Sequence, residues 1–503
     1  MSAELPNTAL PSYGAAAYDP SGDGTPVGVE LDRLAADEPD APAVTCNDVT
    51  LSRAELASRS NRLARHLAGL GVRRGDMVTI GLPNGWEFYV AVVAAWKLGA
   101  VPQPVSARLP AAELAALIEI ADPAVVLGLE TADGRPWLPA GFEPDPALDD
   151  GPLPPAVPPY WKAPTSGGST GRPKIILAAA AGTAEAIVAR AGATRVDRGS
   201  VLLVTAPLYH NAPLTFSLMA LVDAGHVVVM ERFDPADVLD RISRHRATWV
   251  YAVPTLMGRM LRLSAEVRAA ADLSSVRTLF HVGAPCPEHV KRGWLEWIEP
   301  YKVLELYAGT ESIAVCTIDG EDWLRHPGSV GRPVSGELLI ADEDFRPLPP
   351  GEVGEVWQRP PEGARTYHYI GATARARDGW ESIGDLGRVD EDGYLYLSDR
   401  RSDMILVGGA NVYPAEVEAV LESHPAVVSS AVIGLPDDDL GSVVHAIVQT
   451  TEPVDDQDLT AHVRGQLAGY KVPRGFERSA TPLRDDAGKV RRTALRAARL
   501  PPR

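Results

Sequence analysis

Helices and strands that alternate along the chain are the feature that most constrains its fold. A helix is predicted over residues 53–70, where leucines recur on one face from Leu56 to Leu70. Gly71 ends it, and the strand DMVTIGL follows. The alternation then continues as helix 86–98, strand 100–105, helix 109–121 and strand 124–128. Strands separated by helices form parallel sheets, so the sequence predicts an α/β fold.

A second alternating region follows an irregular connector. Ten prolines lie between residues 136 and 164, and they disfavour regular elements there. Further strands are predicted at 201–208, 226–230, 248–254, 278–282 and 302–307. After about residue 328 the strands become short and are separated by glycine and proline, with a hairpin turn at Asp392-Gly393. This pattern of short strands predicts a small β-barrel-like part within the large domain.

A charged segment at 399–403 marks the predicted domain boundary. The residues before 28 are small and polar, which predicts a loose N-terminal segment over 1–27. We therefore predict a large N-terminal domain over 28–400 and a small, mobile α+β domain over 401–503. The predicted hinge lies near 400–403. In the small domain we expect helices at 414–423 and 456–468 and strands at 427–433 and 443–450.

The charge of the chain restricts its partners. Its 503 residues include 48 basic and 66 acidic ones, for a net charge of −18. This acidic balance argues against binding to nucleic acid or to a membrane surface, but it allows a local cationic pocket. No apolar run is long enough to span a membrane, and the N-terminus lacks the pattern of a secretory signal. Cys46, Cys286 and Cys316 lack metal-binding spacing, which indicates a reduced, cytoplasmic setting.

The segment TSGGSTGRPK at 165–174 is the first candidate site. Glycines let bare N–H groups approach a ligand, while hydroxyls and a lysine add donors and charge, so the segment suits phosphate oxygens. No Ser or Thr follows the lysine, so this is not the Walker A pattern. A flexible linker is the alternative. The candidate phosphate ligands are Ser166, Gly167, Gly168, Ser169, Thr170, Gly171 and Lys174.

Four further segments carry candidate groups. In YAGTES at 307–312, Thr310 and Glu311 follow a strand, where ligands collect in open α/β sheets; a solvated loop acid is the alternative for Glu311. Asp385 lies in GWESIGDLG and suits ribose hydroxyls, although a plain turn aspartate is the better interpretation of this motif alone. The remaining two are DRRSDMILVGGANVYPAEVE at 399–418 and PLRDDAGKVRR at 482–492, with Lys489 in the latter.

Taken in order, these five motifs resemble the adenylate-forming superfamily of acyl-CoA synthetases, peptide-synthetase adenylation domains and luciferases. The resemblance covers nearly the whole chain. It implies that the Gly-rich loop closes over the ATP phosphates, that Tyr307 stacks on adenine, and that Thr310 contacts the α-phosphate. Glu311, with Thr170, would bind Mg²⁺. The other implied nucleotide ligands are Ala308, Gly283, Ala284, Pro285, Asp385 and Arg400.

The resemblance also implies an acyl pocket and a second conformation. His210 would lie near the substrate carboxylate, and Lys489 would bridge carboxylate and α-phosphate during adenylation. The small domain would then rotate about Ser402 and present a different face to the pantetheine of CoA. The implied acyl-pocket residues are His210, Asn211, His281, Gly283 and Gly309, and the implied pantetheine contacts are Val407, Gly408 and Gly409.

Several positions depart from the pattern of this superfamily. Ile175 and Pro213 each stand where glycine is common, and Ala308 replaces the glycine of Y-G-x-T-E. Ile383 replaces a common threonine, and Ser402 replaces the usual Asp or Lys of the hinge. No catalytic charge is lost, so we expect an active enzyme.

Two residues have simpler interpretations. Cys286 lies between prolines with no cationic neighbour in sequence, which indicates a packed thiol and not a nucleophile. His281 ends a predicted strand, so a core histidine is as good an interpretation as a wall of the acyl pocket.

The sequence identifies the substrates only in part. No acid lies between 206 and 222, which disfavours an amino acid and favours a hydrophobic, bulky carboxylic acid. We expect ATP, Mg²⁺ and CoA as the other reactants. One alternative is a ligase that loads a separate carrier protein, and another is a nucleotide-binding protein without catalysis. The sequence leaves a homodimer open.

Overall fold

The computed structural model describes residues 24–166, 173–189, 191–407, 410–437, 440–485 and 488–500, with the backbone only at Ser166. None of the helices in these ranges combines the length and the apolar character needed to cross a membrane.

Fifteen α-helices lie in the described ranges. They are α1 Val27–Asp37, α2 Arg53–Gly69, α3 Trp86–Lys97, α4 Ala111–Ala121, α5 Ala184–Val188, α6 Ala191–Thr194, α7 Asn211–Val222, α8 Pro235–His245, α9 Pro254–Leu261, α10 Ala265–Ala270, α11 Glu288–Trp297, α12 Gly320–Arg325, α13 Pro414–Glu422, α14 Asp456–Arg464 and α15 Arg492–Ala497.

Twenty-seven strands lie in the same ranges. They are β1 Pro42–Cys46, β2 Val49–Ser52, β3 Met77–Ile80, β4 Val101–Pro104, β5 Val125–Leu127, β6 Trp137–Leu138, β7 Thr165–Ser166, β8 Lys174–Ala178, β9 Val201–Val204, β10 His226–Val229, β11 Trp249–Ala252, β12 Thr278–His281, β13 Val303–Tyr307, β14 Val315–Asp319, β15 Arg332–Ser335, β16 Glu337–Ala341, β17 Gly354–Arg359, β18 Tyr367–Ile370, β19 Arg375–Arg377, β20 Trp380–Ser382, β21 Asp385–Val389, β22 Leu395–Arg400, β23 Ile405–Val407, β24 Ala410–Val412, β25 Val427–Asp437, β26 Gly441–Thr450 and β27 Gly475–Arg478.

The α/β class predicted from the alternating pattern is confirmed. A nine-stranded sheet has the order β15-β14-β13-β12-β11-β9-β10-β1-β2, and its six strands from β13 to β1 run parallel. Apolar clusters cover both of its faces, as a parallel sheet requires. A second parallel sheet, β4-β3-β5-β6, contains the first predicted strands. Its last strand, β6, lies in the proline-rich connector, where no regular element was expected.

A small sheet anchors the Gly-rich segment. Strand β7 pairs antiparallel with β8, so the ends of the loop between Ser166 and Lys174 lie opposite each other. The other edge of β8 pairs antiparallel with β18. The base of the loop is therefore held by a strand almost two hundred residues later in the chain.

The predicted barrel-like part is an open sheet, and no closed barrel is found among the described strands. Six antiparallel strands, β16, β17 and β19 to β22, form this sheet. Strand β17 pairs with β16 along its whole length, with β20 at Gln358 and with β21 at Gly354 and Glu355. The sheet brings Asp385 on β21 directly opposite Arg400 on β22.

The C-terminal region has its own core. Strands β25 and β26 form a long antiparallel pair, and β27 adds to β26 in parallel. Apolar residues of these strands pack with α13 and α14, and the buried ones include Val417, Leu421, Val432 and Leu459. The predicted strands at 427–433 and 443–450 are present and longer than expected.

The end of the predicted loose segment is ordered. Residues 1–23 lie outside the described ranges, but the backbone N–H of Thr25 donates to Glu185 at 2.8 Å. The N–H of Val27 donates to the carbonyl of Gly182 at 3.1 Å, and Val27 begins α1. Hydrogen bonds to α5 and the turn before it therefore fix residues 24–27, which their composition did not indicate.

Candidate active site

Lys174, Glu311 and Tyr369 form a buried cluster at the base of the Gly-rich segment. Lys174 Nζ lies 3.1 Å from Glu311 Oε1, and it donates to the Tyr369 hydroxyl at 2.8 Å. The Tyr369 hydroxyl also donates to Glu311, whose side chain is only 7% exposed. Lys174 lies 4.0 Å from the centre of the Tyr369 ring. Two predicted site residues, 137 apart in sequence, are thus in direct contact.

Tyr307, Asp385 and Arg400 form a second cluster. The hydroxyl of Tyr307, the last residue of β13, donates to Asp385 Oδ2 at 2.6 Å. Arg400 Nε lies 3.5 Å from Asp385 Oδ1. Desolvation raises the pKa of Asp385, and Arg400 opposes that rise. The pKa of Tyr307 is raised well above its ordinary value, first by desolvation and then by the Asp385 charge. The three residues predicted for adenine and ribose therefore lie together.

The loop that carries Lys489 packs on the large domain. Gly488 has φ +75°, and a Cβ on it would lie 3.1 Å from Thr255 Oγ1 and 3.5 Å from Val253 Cγ2. Val253 is also the nearest neighbour of a Cβ on Gly283, at 3.9 Å, and Gly283 has φ +92°. A side chain at Gly488 would meet both a clash and backbone strain. The lysine loop thus lies beside the segment predicted to contact adenine.

The electrostatic environment of Lys489 joins it to both clusters. Desolvation and the positive charge of Arg400 lower the pKa of Lys489, while Asp485 and Glu311 act in the opposite direction. Lys489 itself is exposed to solvent. The ammonium therefore lies within electrostatic range of Glu311 in a partly desolvated, solvent-reachable position.

Glu311 fits the predicted Mg²⁺ ligand. No group of three or more His, Cys, Asp or Glu side chains suited to a metal occurs in the described part of the chain. A single carboxylate suits Mg²⁺ that arrives with phosphate oxygens, because Mg²⁺ commonly combines one or two carboxylates with substrate phosphates. The carboxylate of Glu311 already attracts a cation, the Lys174 ammonium, at 3.1 Å. Thr170, the other predicted ligand, lies outside the described ranges.

The predicted acyl gate contains an unpredicted lysine. His210 is the N-cap residue of α7, and its ring lies 4.1 Å from that of Tyr209. Buried Lys162 donates to Asn211 Oδ1 and to Thr215 Oγ1 in the first turn of this helix. A positive charge thus lies against the segment that the sequence describes as wholly apolar. Lys162 precedes the Gly-rich segment and falls in no motif, so sequence reasoning missed it.

His281 is a core residue in this structure, as the first of its two interpretations predicts. Phe280 packs on Phe216 of α7 with ring centres 4.5 Å apart, so the next residue of the strand points to the opposite face of the sheet. There His281 Nε2 lies 2.7 Å from Lys291 Nζ, and His281 is 0% exposed. Burial, and then the Lys291 charge, lower the pKa of His281 well below its ordinary value.

The buried group of His281, Lys291 and Glu305 predicts an effect on the stability of the fold that is separate from catalysis. Lys291 is 0% exposed, and its Nζ lies 3.0 Å from Glu305 Oε2. Replacing Lys291→Met leaves the Glu305 carboxylate buried without a counter-charge, so we expect the free energy of unfolding to fall by about 3–5 kcal/mol. Thermal or urea unfolding measures this loss, and Lys291→Met with Glu305→Leu should recover most of it. An unchanged KM for the acid in the folded single variant is expected. A raised KM for the acid would support His281 as a wall of the acyl pocket.

The remaining predicted residues divide into three sets. Gly167, Gly168, Ser169, Thr170, Gly171, Gly408 and Gly409 lie outside the described ranges, as does the side chain of Ser166. The side chain of Val407 is buried in the core of the small domain, whereas its neighbour Leu406 is 53% exposed. Asn411, opposite Leu406 on the second strand of this hairpin, is also exposed. Ser402 is exposed, and its hydroxyl donates to Asp403 at 3.2 Å.

Packing accounts for two of the departures from the family pattern and for the state of Cys286. Ile175 is 0% exposed and belongs to a core cluster under β8. Ile383 Cδ1 lies 2.9 Å, and Glu311 Oε2 lies 2.8 Å, from the position of a Cβ on Gly309, so a side chain there would displace the ends of both side chains. Ile383 thus fills space beside the Glu311 carboxylate. Cys286 agrees with the packed-thiol interpretation, because burial raises its pKa to about 12.

Besides Lys162, two residues of the site were missed by sequence reasoning. Tyr369 bridges Lys174 and Glu311, and Gln358 Nε2 donates to the Tyr307 hydroxyl at 3.3 Å. Both lie in short strands of the region after residue 328. Tyr367 and Tyr369 alternate along β18, which is a signal for one face of a strand, but the sequence does not say what that face meets.

Two family models and several known proteins match this chain. A family model described as "AMP-binding enzyme" matches residues 31–368, and one described as "AMP-binding enzyme C-terminal domain" matches residues 416–483. A feruloyl-CoA synthase from Amycolatopsis is 35% identical over 485 residues, covering 92% of this chain and 97% of that protein. A 2-succinylbenzoate–CoA ligase from Bacillus licheniformis is 30% identical, covering 91% of this chain and 97% of that protein.

A solved structure extends the likeness to three dimensions. The o-succinylbenzoate CoA synthetase of Bacillus subtilis, in complex with an acyl-adenylate intermediate, superposes with a TM-score of 0.79 at 29% identity. The match covers 93% of this chain and 97% of that one. The same Bacillus enzyme has been solved with ATP and a magnesium ion.

Proposed function

Since this chain belongs to the AMP-binding enzyme family within the adenylate-forming superfamily, we propose that its active site couples an aromatic carboxylic acid to coenzyme A. The reaction is ATP-dependent acyl-CoA synthesis through an acyl-AMP intermediate, and the enzyme is an AMP-forming acid–thiol ligase. ATP, Mg²⁺ and CoA are its other reactants. The observation that carries this function is the contact of Lys174 with Glu311, whose charge also acts on Asp385 and on Lys489.

In the first half-reaction an acid oxygen attacks the α-phosphorus of ATP. The bond from that phosphorus to the bridging oxygen breaks, and pyrophosphate leaves with the electron pair. Two anions must meet, so fixed positive charge at the reacting atoms lowers the barrier. Lys489 supplies one such charge, and Lys174 holds the leaving phosphates. Glu311 would hold Mg²⁺, which supplies neutralising charge at the phosphates when bound.

Three side chains orient the nucleotide in this proposal. Asp385 accepts the ribose hydroxyls, Arg400 donates to the same sugar, and the ring of Tyr307 lies against the adenine. The support is their mutual contact, because the Tyr307 hydroxyl and Asp385 are already fixed 2.6 Å apart. Such pre-organisation removes a cost that a flexible site would meet on binding.

In the second half-reaction the CoA thiolate attacks the acyl carbonyl, and AMP leaves as a phosphate monoester. No anion approaches phosphorus in this step, so Lys489 is dispensable for it. We place the hinge at 400–403 and the domains at 28–400 and 401–503, with the small domain rotating between the steps. We also place the enzyme in the cytoplasm, and the free thiols Cys46, Cys286 and Cys316 support a reducing compartment.

Two observations support an aromatic acid. The face of the sheet under α7 carries an aromatic cluster. The ring centres of Phe216 and Trp249 lie 4.5 and 4.7 Å from the ring centre of Phe280. The relatives named for feruloyl and 2-succinylbenzoate substrates are both named for aromatic acids.

A panel of acids in ATP–pyrophosphate exchange tests this proposal. The panel contains hydroxycinnamic, benzoic, dicarboxylic aromatic, short aliphatic and long-chain fatty acids. We expect the highest kcat/KM for an aromatic acid, by tenfold or more over acetate. Exchange with short aliphatic acids alone would overturn the aromatic proposal and leave the adenylation chemistry intact.

The acceptor is tested with the best acid of that panel. Incubation with ATP and CoA should give acyl-CoA and AMP, which mass spectrometry detects. Release of acyl-AMP without thioester, followed by loading of an added carrier protein, would instead support the alternative ligase. Absence of exchange with every acid would support the third reading, a nucleotide-binding protein.

A further inference from the structure

Arg492 lies among three carboxylates that belong to both sides of the proposed hinge. Its Nη2 donates to both oxygens of Glu418 at 2.8 Å, and its Nη1 donates to Asp403 Oδ2 at 3.0 Å. Burial acts to lower the pKa of Arg492, but the charges of Glu418, Asp399 and Asp403 together raise it. We call Arg492 with Asp399, Asp403 and Glu418 the arginine junction. Arg492 lies three residues after Lys489 in the chain.

Within the small domain, the arginine junction fixes the lysine loop to α13. Glu418 of α13 is 4% exposed, and its Oε1 also accepts from the N–H of Val432 at 2.8 Å. At the other end of the loop, Arg484 donates to Glu422 at 2.9 Å. Arg484 also pairs with Val490, which closes the loop. Both ends of the segment carrying Lys489 are therefore held on one helix, so the position of α13 sets the position of the ammonium.

Asp399 connects that helix to the large domain. It belongs to β22 and pairs with Leu386 of β21, on the N-terminal side of Ser402. Its Oδ2 accepts from the N–H of Ala415 at 2.8 Å, in the first turn of α13. A carboxylate there satisfies a free N–H and interacts favourably with the positive end of the helix.

The members of the arginine junction differ in how they respond to rotation about Ser402. Glu418 and Asp403 lie on the C-terminal side and travel with Arg492, so their contacts survive. Asp399 stays with the large domain, so its contact with Ala415 belongs to the arrangement in which Gly488 packs on Thr255.

We propose that Asp399 is a positioning residue for acyl-adenylate formation. It holds the start of α13 on the large domain and thereby seats Lys489 at the reacting atoms, without contacting substrate itself. This rests on the proposed two-step function. It predicts that removing Asp399 affects the two half-reactions unequally, which a general loss of structure would not do.

Asp399→Ala in the full-length enzyme tests the proposal. We expect kcat of ATP–pyrophosphate exchange to fall about tenfold, the scale of one lost charge-assisted hydrogen bond. Thioester formation from preformed acyl-AMP should be unchanged or faster. The KM for ATP should change less than about twofold, which separates Asp399 from its neighbour Arg400. The kcat of Asp399→Asn should lie between those of the parent and Asp399→Ala, because its amide oxygen can still accept from the N–H of Ala415.

Asp403→Asn is the matched control, since Asp403 contacts the same arginine from the other side of the hinge. Any loss it causes should be equal in the two half-reactions. Equal losses in both half-reactions of Asp399→Ala, or a rise in the KM for ATP alone, would overturn the proposal.

A distance measurement gives a readout that needs no substrate acid. Spin labels at Val267→Cys and Tyr470→Cys, both exposed positions, report the separation of the two domains in a Cys286→Ser background. Asp399→Ala should shift or broaden the distance distribution, whereas Asp403→Asn should not. An unchanged distribution overturns the proposal. If no acid supports exchange, the proposed function fails, and this measurement still decides the role of Asp399.

Discussion

Lys489→Ala is expected to lower the rate of acyl-adenylate formation by about 10²–10³-fold, the usual effect of removing one group that stabilises charge in a transition state. The ammonium lies within electrostatic range of Glu311 and Arg400, at the place where two anions must meet. Thioester formation from preformed acyl-AMP should stay within about twofold of the parent, because no phosphorus is attacked in that step. ATP–pyrophosphate exchange and a CoA-dependent assay with isolated acyl-AMP measure the two separately.

Lys302→Ala controls for the loss of a lysine as such. Lys302 is paired with Glu299 at 2.9 Å in the large domain, so both rates should match the parent. If Lys489→Ala slowed both half-reactions equally, the role assigned to Lys489 would be wrong.

The pH dependence of the adenylation rate should reflect the pKa of Lys489. The pKa of Lys489 lies below its ordinary value of 10.5 because of desolvation and Arg400. The reaction needs the charged form, which is present below that pKa and lost as the pH rises through it. Adenylation should therefore decline at a lower pH than a free lysine would give, and the thioester step should lack this decline. In Lys489→Arg the decline should move to higher pH, since arginine stays charged.

Glu311→Gln is the second change with a large expected effect. The variant keeps the size of the side chain and removes the charge that would hold Mg²⁺. We expect adenylation to fall by about 10²-fold and the Mg²⁺ concentration for half-maximal rate to rise, because several kcal/mol of charge stabilisation depend on the ion. Titration of Mg²⁺ at fixed ATP measures both effects.

Two further variants sharpen this result. Tyr369→Phe removes only the hydroxyl between Lys174 and Glu311, so its loss should be smaller, about tenfold or less. Glu321→Gln changes an exposed acid at the start of α12 and should behave as the parent. A Glu311→Gln enzyme with an unaltered Mg²⁺ dependence would place the metal elsewhere.

Local patterns predicted what depends on nearby residues. The helix predicted at 53–70 is α2, and the turn at Gly393 has the positive φ that hairpin turns use. Lys174, Tyr307, Glu311 and Asp385 were found from motifs, because glycine-rich loops and strand ends have recognisable local chemistry. The contacts among them follow from the order of the strands in the sheets.

Long-range pairing accounts for what the sequence did not show. The alternation of β12 separates Phe280 from His281, but only the packing of α7 decides which face meets the acyl site. Lys162 and Tyr369 act through partners 53 and 195 residues away. The contact from Asp399 to Ala415 crosses a domain boundary, and no spacing rule links a strand end to the start of the next domain's helix.

The pairing of β8 with β18 has a consequence for synthesis on the ribosome. Lys174 and Tyr369 lie 195 residues apart, so at roughly 5–20 residues per second about 10 to 40 s pass between their additions to the chain. During that interval β8 has one free edge and Lys174 lacks both Tyr369 and, at first, Glu311. A nascent chain can complete its first parallel sheet early, but it gains a formed nucleotide site only after most of the large domain has emerged.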